Sequence, residues 1–123
     1  MTTSTTQPPA PDEIGGPATT ELAGTQLLYE YSTGRKYHLA FEADNVTFLM
    51  IKDEKAKPFS VPYRARKVRD GLYLVHWVVK AASIHVALLL DFERGEVHVA
   101  ALMPGGIEFF DIAKVEKIDR PSA

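Results

Sequence analysis

The chain of 123 residues contains no cysteine. Its absence excludes disulfide bonds and thiolate chemistry, and with them the small secreted scaffolds that disulfides hold together. Long hydrophobic runs are missing too. The longest candidate, "IHVALLL", carries His85 near its start and stops at Asp91, well short of the roughly 18–20 apolar residues that span a bilayer. The opening stretch "MTTSTTQPPAPDEIGGPATTE" has neither an early positive charge nor an apolar segment, so it does not read as a secretory leader. The expected location is therefore the cytoplasm, with no membrane partner. An excess of basic charge is also lacking: the formal net charge is -2 and the pI is near 6.1. Gripping a phosphate backbone needs clustered positive charge, so nucleic acid is not an expected partner.

Hydrophobic residues make up 46% and charged residues 24% of the chain, the balance of an ordinary globular domain. Residues 1–21 are rich in Thr, Pro and Gly, with almost nothing to offset the entropy of ordering them. They read as a flexible tail ahead of one domain over 22–118, with a short tail at 119–123. From Leu22 onward Gly, Pro or β-branched residues interrupt nearly every window in which an amphipathic helix could form. Strands separated by tight turns are expected instead. They cover about 25–32, 35–42, "VTFLMI", 60–68, "LYLVHWVV", "SIHVALLLDF", "EVHVAALM" and "IEFFDIAKVEKI". Asp70-Gly71 is a strong two-residue hairpin signal; the charged loop "KDEKAKP" precedes the fourth strand.

An eight-strand antiparallel meander leaves its first and last strands with unpaired backbone groups. Closing it into a barrel removes both edges, and eight strands enclose room for side chains or for one small ligand. An open sandwich would give similar patterning. The predicted fold is all-β: a small eight-stranded, lipocalin-like antiparallel barrel.

The run "YEYSTGRKY", then "GLYLVHW" and "EVHVAALMP", resembles the pattern shared by the molybdenum cofactor biosynthesis protein F family and the related phenolic acid decarboxylases. The resemblance covers most of residues 25–112. It implies a lipocalin-like barrel, often dimeric, with a pocket down its middle. The decarboxylases' carboxylate-holding tyrosine pair would fall on Tyr29 and Tyr31, and a further pocket tyrosine on Tyr37. Their third-strand arginine would fall at Leu49 or Met50, and their glutamate at Val79. Both ionisable groups are missing here, so decarboxylation, which needs proton management and an orienting charge, is not expected.

Tyr29, Tyr31, Tyr37 and Trp77 are the candidate ligand-binding residues. Each has an alternative reading as core packing, with phenols bonded to backbone or water. Trp77 shares its strand face with Tyr73, Val75 and Val79; the opposite face, Leu74, His76 and Val78, needs a cover, and a second copy of the chain is the simplest one. Tyr31 and His85 are the candidate proton-transfer groups, His85 only if it faces inward. His38, His76, His85 and His98 form no tight ligand motif, so no metal or other cofactor is expected. The basic run "RARKVR" reads as a solvated strand face, and Glu108 as outward-pointing. Three functions remain open: a barrel holding a small apolar or aromatic molecule; a lyase, isomerase or cyclase using the same cavity; and a structural barrel filled by its own side chains.

Overall fold

The computed structural model describes residues 16–51 and 57–121. The first fifteen residues of the expected tail, most of the "KDEKAKP" loop and the last two residues lie outside that range.

Eight antiparallel strands close into a barrel in simple sequence order. They are β1 (Gln26–Tyr31), β2 (Lys36–Phe41), β3 (Asn45–Met50), β4 (Phe59–Arg69), β5 (Leu72–Val79), β6 (Ile84–Asp91), β7 (Glu96–Met103) and β8 (Ile107–Asp119). Closure is made by β1 against β8, running from Gln26 opposite Asp119 to Tyr31 opposite Ala113. A register shift between Leu28 and Tyr29 steps over Glu116, bending the seam as bulges do in small barrels. Every strand thus has two neighbours, which is what protects so short a meander from pairing with other chains.

Alternation along each strand decides what lies inside. On β5, Tyr73, Val75, Trp77 and Val79 are buried, while Leu74 is exposed and His76 and Val78 half-buried. The β4–β5 hairpin turns at Gly71, whose φ of 77° is open to glycine and strained for other residues. A Cβ there would also meet the Glu93 side chain at 3.1 Å.

The two barrel ends differ. One is plugged by residues 17–25, several of which the sequence reading leaves in the tail. Leu22 and Thr25 are fully buried. Thr19 N donates to Ala65 O at 2.9 Å, Gly24 N to Phe41 O at 2.7 Å and Phe41 N to Thr25 O at 2.9 Å. Tyr73 donates its hydroxyl to Glu21 at 2.9 Å, and Lys67 reaches the same carboxylate at 3.3 Å. These two bonds, Tyr73 first, hold the Glu21 carboxyl below its ordinary pKa. The other end, where the β1–β2, β5–β6 and β7–β8 turns meet, is not filled.

Candidate functional site

At that end lies a cavity of about 90 Å³. Tyr31 and Tyr37, on either side of the β1–β2 turn, contribute to its wall together with Tyr29, Phe48, Trp77 and Phe109. Aliphatic side chains, Leu88, Val86 and Val99 among them, complete the lining, and no charged side chain takes part. The strands place these groups together by register: Tyr29 stands opposite Tyr37 and Trp77 opposite Val86.

The aromatic rings hold one another in place. Tyr31 meets Tyr29 edge-on with centroids 5.2 Å apart, Phe109 at 4.9 Å and Tyr37 at 5.7 Å. Trp77 stacks on Phe48 at 5.6 Å. Such contacts add about 0.5–1.5 kcal/mol each beyond area burial, enough to fix the rings before any ligand arrives.

The polar groups of the cavity are unusual in two ways. The Tyr29 and Tyr31 phenols lie together, and burial pushes both well above their ordinary pKa. At physiological pH they are neutral, able to donate and accept hydrogen bonds and unable to serve as phenolate bases. The indole Nε1 of Trp77, a residue only 5% exposed, is buried without a hydrogen-bond partner. Tyr63 and Tyr73 behave differently: Tyr63 donates to Glu42 O at 2.6 Å and Tyr73 to Glu21, the structural role that buried tyrosines commonly play.

All four sequence-derived ligand residues, Tyr29, Tyr31, Tyr37 and Trp77, therefore meet at one cavity. His85 does not join them. It is exposed on β6 between the cavity-lining Ile84 and Val86, and its ring lies 6.4 Å from His76 on the outer surface. This corrects its candidacy as an inward-facing base. His98 also points outward, 3.5 Å from Glu96, and Glu108 is exposed as expected. Among the described residues no group of three or more potential ligands could hold a metal ion. At the decarboxylase positions Val79 is buried, and Leu49 and Met50 are both partly buried and apolar.

One residue at the cavity rim had not been singled out for a role. Asp111 accepts bonds from the Ser32 hydroxyl, from Thr33 Oγ1 at 2.9 Å and N at 3.3 Å, and from its neighbour Ile112 N at 2.7 Å. These bonds, Ser32 foremost, bring its carboxyl down to about 2. It pins the β1–β2 turn against β8 beside Tyr31. Arg35, from the same turn, lies 5.1 Å above the Phe109 ring.

A closed eight-stranded barrel with an aromatic-lined cavity at one end is the architecture of lipocalin-like proteins. The chain belongs to the MoaF-like family, whose sequence pattern matches residues 23–113. No curated protein matches it. Among solved structures it is similar to a Burkholderia vietnamiensis protein described as a "putative beta-lactamase", with a TM-score of 0.69 and 15% identity over 77% of this chain and 93% of that one. At that identity the likeness is one of fold.

Proposed function

We propose that the protein is a small-molecule-binding barrel that holds one apolar or aromatic metabolite between Tyr29, Tyr31, Tyr37 and Trp77. The observation that carries this reading is the cavity itself: an uncharged, ring-lined space left open at one end of a barrel whose other end is plugged. Burial of apolar surface would supply the affinity and the few polar groups the orientation. At about 90 Å³ the space is well below the roughly 300–1,000 Å³ of drug-sized pockets, so a single ring or short chain is the scale of ligand it takes without opening.

An enzymatic step of lyase, isomerase or cyclase type finds less support. Tyr31 is held neutral, and His85 stands on the wrong side of the wall, leaving the cavity without a base. Nor does the chain contain the Ser-x-x-Lys sequence of serine β-lactamases. A cytoplasmic location fits a cysteine-free chain, and neither nucleic acid nor membrane is proposed as a partner; among the described residues no helix is long and apolar enough to cross a membrane.

The proposed protein partner is a second copy. On the outer face of β5–β8, register aligns Leu74, Leu89, His98 and Ile112 in one row and His76, Ala87, Ala100 and Phe110 in the next. Phe110 is 87% exposed, and Leu74 and Leu102 are also exposed. An apolar sheet face of this kind favours a covered state. Sedimentation equilibrium tests it: a dimer that Phe110→Asp converts to a folded monomer is expected, and a monomeric parent would refute it.

The binding reading is tested by titrating the fluorescence of Trp77, the single tryptophan, with one-ring neutral compounds. Saturable quenching or a spectral shift is expected. No response from any of them, with an emission already that of a buried indole, would favour a filled barrel.

A further inference from the structure

We infer that two copies of the chain join through a free edge of β8, with Glu108 of each pairing with Phe110 of the other in an antiparallel ladder. The inference rests on the second-copy reading above and deepens it by naming the strand and the register of the contact.

The barrel closes unevenly at this strand. β7 pairs with Ile107–Lys114 of β8, whereas β1 reaches only Ala113–Asp119. β1 ends at Tyr31 because the Ser32-Thr33-Gly34 turn follows, with Gly34 at φ 93°. The 13 residues of β8 outrun it. The first half of β8 is thus the exception to the protection that closure gives the other strands.

Two backbone bonds show which residues aim their polar groups at the open side. Ser32 N donates to Ile112 O at 3.1 Å, on the β1 side, and Val115 N donates to Gly95 O at 2.8 Å, on the β7 side. In an antiparallel strand the N–H and C=O of one residue point to the same side and successive residues alternate. Glu108 and Phe110 therefore face the open side with Ile112. The Ile112 amide is capped by the Asp111 carboxylate at 2.7 Å. Among the described residues no backbone hydrogen bond reaches Glu108 or Phe110 from this side. Their N–H and C=O groups form an unpaired strand edge, the feature that templates pairing with another chain.

A second copy is the occupant that fits. An antiparallel edge paired with itself is closed by a two-fold axis. Centring that axis on Phe109 sets Glu108 opposite Phe110 twice over and satisfies all of these groups. Sliding one strand by two residues enlists either Ile112, whose N–H is already capped, or Gly106 in the turn Pro104–Gly106. The side chains agree with the backbone. Phe110 is 87% exposed, and the pairing brings the two Phe110 residues to diagonal positions roughly 7–8 Å apart, within reach of their rings. The two Glu108 carboxylates do not stand directly opposite each other, which avoids the like-charge penalty.

Amide hydrogen exchange read by NMR tests this, with sedimentation equilibrium defining the oligomeric state. In the parent dimer the amides of Glu108 and Phe110 should exchange at least about tenfold more slowly than in the diluted monomer. The Phe109 amide faces β7 and should be protected in both. Phe110→Asp should leave the Glu108 amide fast at every concentration, with the slow Phe109 amide showing that the barrel is folded. In a mixture of 13C-labelled and unlabelled copies, a filtered contact between the Phe109 Hα protons of the two is expected, because the central pair is of the close, non-hydrogen-bonded kind. A dimer whose Glu108 and Phe110 amides stay fast, or whose Phe109 protons do not meet, overturns the inference and leaves the second-copy reading standing. A parent that is monomeric at every concentration overturns both.

Discussion

The Tyr29 and Tyr31 phenols are coupled in the core, and that coupling is measurable. In Tyr31→Phe the hydroxyl of Tyr29, a residue 2% exposed, loses its phenolic neighbour and is left buried. The cost should be about 1–3 kcal/mol, the penalty for stranding a buried polar group. Tyr29→Phe leaves the hydroxyl of Tyr31, a residue 4% exposed, without its neighbour in the same way and at a similar cost. The double variant has no stranded group, so it should be no less stable than either single variant. Thermal unfolding resolves the difference, since 1 kcal/mol moves Tm by about 4–8 °C in a domain of about 100 residues. Phe retains the ring contacts with Tyr37 and Phe109, which keeps packing changes small. The reasoning is refuted if the two single effects add in the double variant.

Other substitutions probe the wall, the rim and the outer face. Leu88→Ala removes a fully buried wall residue and should cost about 2–5 kcal/mol while admitting two-ring ligands that the parent excludes, read by denaturant unfolding and Trp77 fluorescence. Asp111→Asn should speed amide exchange at Ser32 and Thr33 relative to the rest of the barrel; unchanged exchange would mean the carboxylate does not anchor that turn. Its carboxyl pKa of about 2 lies below the ordinary 3.8, so the stability it contributes is complete above about pH 4 and fades as pH falls toward 2. His76 is depressed below its ordinary 6.5 by burial, then by the neighbouring His85 and Arg64. The unfolded chain therefore takes up a proton there more readily, and stability should decline as pH drops below about 6.5, with no effect above. His76→Gln should flatten the Tm profile between pH 7 and 5; an unchanged slope would assign the dependence to other groups.

How far the sequence carries such conclusions varied with the kind of signal. Period-two alternation located every strand, and "LYLVHWVV" and "EVHVAALM" match β5 and β7 residue for residue, because each is bounded by a tight turn. The cavity tyrosines were reached through the family resemblance; alternation supplied only which residues share a strand face, as Trp77 does with Tyr73 on β5. His85 was not legible. Its face depends on how many residues the β5–β6 connection consumes, and that connection is a 3-10 turn, Lys80–Ala82, followed by Ser83 in the left-handed region with φ 54°. One residue more or less inverts the strand. Asp111 was beyond reach for another reason: its partners Ser32 and Thr33 lie 79 and 78 positions away, joined to it only by barrel closure. The plug formed by residues 17–25 carries the Pro, Thr and Gly composition of a tail, and a single leucine, Leu22, together with backbone bonds holds it in place.

The central claim is that the space between the three tyrosines and Trp77 is a binding site, and crystals equilibrated with toluene vapour test it directly. Apolar cavities of adequate size take up such molecules without help from polar contacts. Ordered density for one ring bordered by Tyr31, Trp77 and Leu88 is the predicted result. Density confined to the outer groove beside Phe59, Arg64 and His85, or an empty cavity at saturating vapour, would contradict the account.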